Sequence, residues 1–177
     1  MVMDGPPVVA RPEFDILLSD VKNERKEGEE GVVTLGEIAA DLGFENRCTI
    51  SDEDAAKIAE GKLEGIIRGR YQRAFVPCTI KLRGRQIKTV FLVATGGVNT
   101  FVGKPTWDKL FEGIEDLGNK TAKVTFCGIP FEEITMSPQN SHFPDIDFLG
   151  TDFMKRVNAK LNVDYENGTC KLEWEIP

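Results

Sequence analysis

At 177 residues, 41% apolar and 29% charged, the chain is long enough to bury one substantial core, and one domain with an extension is its natural organisation. The net charge of -7 argues against general binding to nucleic acid or to anionic membranes. No apolar run approaches the length of a membrane span.

The N-terminus, Met1 to Pro7, has neither a basic start nor an apolar signal core. Cys48, Cys78, Cys127 and Cys170 are widely spaced without a Cys-x-x-Cys pair, and His142 is the single histidine. A metal site is therefore not expected, no cofactor is implied, and the thiols read as reduced, in a cytoplasmic or nuclear protein. His142 lies in a loop with no triad partner nearby, so it reads as a hydrogen-bonded loop residue.

Residues 1–31 read as a lead and a charged, glycine-bearing linker, with Pro6, Pro7 and Pro12 close together and a short apolar element from Phe14 to Val21. Residues 32–70 read as a helical extension. Thr34 is placed to cap a helix to Leu42, with Glu37 as its capping-box partner and Gly43 as the stop. Ser51 opens a second helix, with Asp52, Glu53 and Asp54 at its positive end and Ala55, Ile58, Ala59 and Leu63 as its buried stripe. From Lys62 to Lys88 basic residues outnumber the single acid, Glu64; solvated strand faces are the preferred explanation of that excess.

At Phe75 the apolar period changes to two. A hairpin turning at Arg83-Gly84-Arg85 is predicted, its second strand running from Ile87 to Val93. Thr95-Gly96-Gly97 then turns the chain sharply, and an alternation from Val98 to Val102 leaves the turn. A helix is predicted from Pro105 to Leu117, with Trp107, Leu110, Phe111 and Ile114 on one face. A second hairpin is predicted about Cys127-Gly128-Ile129-Pro130. Phe148-Leu149-Gly150 then leads into a helix bearing Asp152, Phe153 and Met154. Leu161-Asn162-Val163 reads as a strand, and Lys171 to Ile176 as a further one.

Leu92-Val93-Ala94-Thr95-Gly96, followed by Asn99-Thr100, resembles the active-site loop of retropepsin-like aspartic proteases, the fold of retroviral and retrotransposon proteases. Phe148-Leu149-Gly150 with Asp152 is similar to that family's second signature, 56 positions beyond Ala94 (150 − 94). The resemblance covers residues 75–165 and implies a mainly β, closed-barrel domain, α+β overall with the helical extension, and a C-terminal extra strand over 166–177. Two positions depart from the pattern: Ala94 stands where the family has its catalytic Asp, and Gly97 where Ala or Ser is usual. A glycine-rich flap is not evident between Phe101 and Val124. The family's reaction needs two carboxylates sharing a proton, one from each subunit of a homodimer.

The expectation is therefore a catalytically inactive, retrotransposon-derived dimerisation and peptide-binding module. Ala94, Thr95 and Gly96 would be the active-site loop equivalents, and Gly97, Val98 and Asn99 the peptide-binding positions. Phe148, Leu149, Gly150 and Asp152 would form the structural second motif. Its partners would be a second copy and a protein or peptide. Two alternatives stay open: an Asp-to-Ala active-site mutant of a working homodimeric endopeptidase, and a monomeric β scaffold with docking helices.

Overall fold

Long apolar alternations and two-residue turns dominate the architecture. A computed structural model describes residues 18–58, 60–114, 121–141 and 143–176, apart from the side chains of Glu132 and Glu133. His142 and residues 1–17 of the lead predicted within 1–31 lie outside the described residues.

In chain order, β1 (Val21–Lys22) and β2 (Val33–Thr34) form a small parallel pair, followed by α1 (Leu35–Asp41), β3 (Cys48–Thr49) and α2 (Asp52–Ile58). Then come β4 (Lys62–Arg68), β5 (Arg73–Leu82), β6 (Arg85–Val93), β7 (Phe101–Val102) and α3 (Lys104–Phe111). The chain finishes with β8 (Thr121–Phe126), β9 (Ile129–Met136), β10 (Phe148–Leu149), α4 (Thr151–Arg156), β11 (Lys160–Asp164) and β12 (Thr169–Glu173).

Strands β5, β8, β9, β7, β10 and β6 are hydrogen-bonded in that order, and β6 returns to β5, which closes a six-stranded barrel. The mainly β, closed-barrel class expected from the sequence is what is observed. β4, β12 and β11 extend the sheet from β5, and β3 extends it from β6. The β5–β6 hairpin turns through Arg83 and Gly84 alone, at φ +47° and +84°, and β8–β9 turns through Cys127 and Gly128 at +49° and +77°. Positive φ at both central residues matches the strand twist. Both turns are tighter than predicted, so β6 and β9 begin earlier, at Arg85 and Ile129.

β6 is buried on both faces. Ile87, Phe91 and Val93 enter the barrel core with Val76, Ile80, Phe126 and Phe153. Val90 and Leu92 face outward into a second core, where Leu35, Ile38 and Ala39 of α1 cover them beside Phe75 and Phe148. α1 has the predicted capping box: Thr34 Oγ1 accepts from the Glu37 N–H at 3.2 Å, and Glu37 accepts from the Thr34 N–H at 2.9 Å. Ser51 caps α2 through the Asp54 N–H at 3.1 Å.

One expectation needs correction. Leu63 belongs to β4 rather than to the stripe of α2; its side chain is buried in the barrel core. Within the basic excess from Lys62 to Lys88, Arg68 and Lys81 make exposed ion pairs, whereas Arg73 is largely buried. Arg68 pairs with Asp41 at 3.0 Å, Arg73 with Asp20 at 2.9 Å and Lys81 with Asp52 at 2.8 Å. Arg85 donates to the carbonyls of Lys109, Leu110 and Glu112 as α3 ends. Between β7 and β8 the described residues hold α3 in place of a hairpin; residues 115–120 lie outside them.

Candidate functional site

β6 delivers the chain to the turn. Its last residues pair in parallel with β10, Leu92 opposite Phe148 and Val93 opposite Leu149. The Leu92 N–H donates to the Asp147 carbonyl and the Ala94 N–H to the Leu149 carbonyl, both at 2.9 Å. The turn closes where the Gly97 N–H reaches the Ala94 carbonyl at 3.1 Å. On its far side β7 runs antiparallel to β10, Phe101 opposite Phe148. The short strand β10 is thus threaded between the two arms of one loop.

The loop and the start of α4 are bolted together by polar contacts. The Gly97 carbonyl accepts from the Thr151 N–H at 2.8 Å and from Thr151 Oγ1 at 3.0 Å, and the Val98 carbonyl accepts from the Asp152 N–H at 2.9 Å. The Asp152 carboxylate accepts from the Thr100 N–H at 2.9 Å and from Thr100 Oγ1 at 2.7 Å. Thr100 Oγ1 accepts in turn from the Gly150 N–H at 3.0 Å. Backbone meets backbone here: a Cβ at Gly150 would lie 2.4 Å from the Asn99 carbonyl carbon. Only glycine fits that approach.

The interlock brings together Ala94, Gly97, Val98, Asn99, Gly150 and Asp152, residues that the sequence singled out in two separate stretches. It places them in different roles. Thr95, Gly96 and Asn99 are exposed, Val98 is 71% exposed, and Ala94 and Gly97 are half-buried. Leu149 is fully buried in the barrel core, so it is a packing residue.

Two hollows flank the turn. One, of about 350 Å3, is walled by Ala94, Gly97, Val98, Phe101, Phe143 and Phe148. The other, of about 310 Å3, lies between Ala94-Thr95-Gly96 and a wall that includes Tyr71, Leu161, Val163 and Tyr165. A larger hollow of about 450 Å3, between residues 21–26 and Phe143–Ile146, lies away from the turn and is lined by Lys22, Glu24, Arg25 and Lys26.

Directly before β10 in the chain sits an acid that the two motifs do not include. Asp147 is fully buried. One carboxylate oxygen accepts from the Gly103 N–H at 2.6 Å; the other accepts from Thr89 Oγ1 at 2.8 Å and Thr106 Oγ1 at 2.7 Å. Arg47 Nε donates to Thr106 Oγ1 at 2.9 Å, and Asn46 Oδ1 lies 3.0 Å from Thr89 Oγ1. Burial pushes the Asp147 carboxyl above the ordinary carboxylate range, and the charge of Arg47 and the hydrogen bonds oppose that rise. Asp147 thus joins β6, β7, α3 and the segment before β3 beneath the turn. No periodicity announces such a residue; the only signal is an acid immediately ahead of the Phe148-Leu149-Gly150 run.

Asp147 and Asp152 are both occupied. Three donors hold Asp147, and Asp152 holds Thr100 and its neighbour's N–H at Phe153. Among the described residues no group of three His, Cys, Asp or Glu side chains is placed to hold a metal ion, and no helix is long and apolar enough to cross a membrane.

No protein-family model matches the chain, and no curated protein matches it. Among solved structures, a retropepsin-like aspartic protease from Rickettsia conorii is similar, with a TM-score of 0.44 and 19% identity, covering 66% of this chain and 93% of that one.

Proposed function

We propose that this chain is a non-proteolytic, retropepsin-like module that self-associates and holds an extended peptide in the hollows beside the turn at 94–99. One observation carries the reading. The turn is fixed by bonds from Thr100, Gly150, Thr151 and Asp152, yet the residue that opens it is Ala94, which has no acid-base group. Hydrolysis by a carboxylate pair requires one group to take a proton from water while the other gives one. The carboxylates in the interlock, Asp147 and Asp152, are committed to holding it together. What remains is a shaped, partly apolar surface with Phe101, Phe143 and Phe148 on one side and the exposed Gly96 beside it.

The same intact interlock favours a second reading, in which Ala94 replaces an Asp in a working homodimeric endopeptidase. Peptide-library cleavage by the Ala94→Asp variant, scanned from acidic to neutral pH beside the unmodified chain, separates the two. The non-proteolytic reading expects no cleavage by either protein. Cleavage by the variant alone would transfer support to the second reading, and cleavage by the unmodified chain would overturn both. A strictly monomeric chain at micromolar concentration in sedimentation would remove self-association and leave the monomeric scaffold.

A further inference from the structure

Of the eight asparagines in the chain, Asn167 alone precedes a glycine. It lies in the turn at residues 165–168 that joins β11 to β12, and it is exposed. The following glycine matters chemically. With no β-carbon, its backbone nitrogen has an open approach to the side-chain carbonyl carbon of the asparagine before it. Gly168 also holds φ +65°, in the left-handed region. At every other asparagine a side chain follows and crowds that approach.

The fold sets a charge of each sign beside these two residues. A β-carbon built on Gly168 would lie 3.7 Å from Arg68 Nη1, so the guanidinium stands next to the Gly168 backbone. Arg68 is fixed there: Nε donates to Asp41 at 3.0 Å and Nη1 to the Ile67 carbonyl at 2.9 Å. Asp164 accepts from the Asn167 N–H at 3.0 Å and from Asn167 Nδ2 at 2.7 Å. Those bonds hold the Asp164 carboxyl below its ordinary range, so it is an anion at neutral pH. A nearby cation favours a backbone nitrogen that has lost its proton and the oxyanion its attack creates. A nearby anion favours a departing nitrogen that takes up a proton.

We propose that Asn167 is a self-modification site, converted to aspartate and isoaspartate by the backbone nitrogen of Gly168 with Arg68 and Asp164 assisting. The Gly168 N–H gives its proton to solvent, and the nitrogen forms a bond to Asn167 Cγ. The Cγ–Nδ2 bond then breaks, and ammonia leaves a succinimide ring. Water opens the ring at either carbonyl, and no oxidation or reduction occurs. Isoaspartate lengthens the main chain by one methylene at a turn whose Gly168 carbonyl accepts from the Ile67 N–H of β4 at 2.8 Å. It also places a new negative charge beside Asp164 and Glu166. Val163 and Tyr165 wall the hollow beside Ala94-Thr95-Gly96. The change therefore reaches the peptide-holding surface, a consequence that rests on the reading above, whereas the chemistry at Asn167 does not.

The test follows the folded full chain during incubation at neutral pH, with peptide mass spectrometry locating each amide-to-acid conversion and separating isoaspartate from aspartate. Asn167 should convert faster than the other asparagines by about tenfold or more. The rate should rise with pH, because the attacking amide must lose its proton. Arg68→Gln should slow conversion by about threefold, the usual scale of one exposed charge, and move the pH profile upward. Added salt should slow the unmodified chain in the same direction, which requires no substitution. Amide exchange on the converted protein should show faster exchange at Ile67. Conversion at Asn167 no faster than elsewhere would overturn the site. Fast conversion indifferent to both Arg68→Gln and salt would overturn the assistance by Arg68, and unchanged exchange at Ile67 would overturn the structural consequence. Peptide binding measured on converted and unconverted protein separates the readings: equal binding to both would overturn the effect on the hollow, and binding to neither would overturn the peptide-holding reading while leaving the modification standing.

Discussion

Asp147 has to hold β6, β7 and α3 in place from inside the protein, and its charge makes that costly. Burial raises its carboxyl above the usual value near 3.8. Below that value the carboxyl is protonated in the folded and unfolded chain alike, and no charge is buried. As pH rises the unfolded chain releases the proton first, so stability falls until the folded carboxyl ionises too. Asp147→Asn removes this titration and keeps an acceptor for the Gly103 N–H. The wild type should therefore lose stability relative to the variant as pH rises from about 4, by at most about 1.4 kcal/mol per pH unit, the slope for one proton. Urea midpoints of both proteins across that range measure it; parallel profiles would show that Asp147 does not titrate in this way. At this scale the sequence was partly legible. Gly150 and Asp152 stood out as a motif, and their contacts with Asn99 and Thr100 explain why those residue types are needed. The Thr89–Asp147–Thr106 cluster did not stand out, because its members lie on three elements and follow no period.

Elements whose apolar residues keep one period were readable from sequence, and those that rely on neighbours were not. α1, α2 and both hairpins declare themselves through helical or alternating spacing and through cap and turn residues. β4 does not, because its inward face reads Leu63, Gly65, Ile67. The glycine interrupts the pattern for a steric reason: a Cβ there would lie 2.0 Å from the Phe75 carbonyl oxygen. Two-residue strands such as β7 and β10 exist only because the interlock holds them. The capping box offers a clean measure of an element that was legible. Thr34 Oγ1 receives the Glu37 N–H, and Glu37 also binds Arg25 at 2.7 and 2.8 Å. Backbone donation from Thr34 is the leading reason the Glu37 carboxyl lies below its ordinary range. Thr34→Ala should cost about 1 kcal/mol, the usual worth of an N-cap, read as a lowered urea midpoint with unchanged slope. An unchanged midpoint would mean that packing alone sets the stability of α1.

For the whole molecule, the question is whether residues 75–165 fold without what precedes and follows them. The sequence draws a boundary there, because the resemblance starts with the hairpin and covers residues 75–165. Packing ties the two parts together. α1 covers Phe75, Val90, Leu92 and Phe148, all buried, and Leu18 and Val21 share that core. β4 pairs with both β5 and β12, so the sheet passes through the segment outside the boundary on each side. Asp20, 3% exposed, meets Arg73 at 2.9 Å and accepts from the Tyr71 N–H at 3.2 Å, a buried ion pair linking the first described residues to the start of β5. Burying a large apolar side chain is worth about 1.5–3 kcal/mol. Uncovering the four under α1 therefore forfeits roughly 6 kcal/mol or more, against a typical total stability of about 5–15 kcal/mol. A fragment spanning residues 75–165 should consequently lack a cooperative unfolding transition, while the full chain melts in one. Thermal denaturation followed by circular dichroism, with amide exchange on both proteins, checks this. A cooperative melt and protected β5 and β6 amides in the fragment would mean that the barrel carries its own stability and that the helical segment is an appendage.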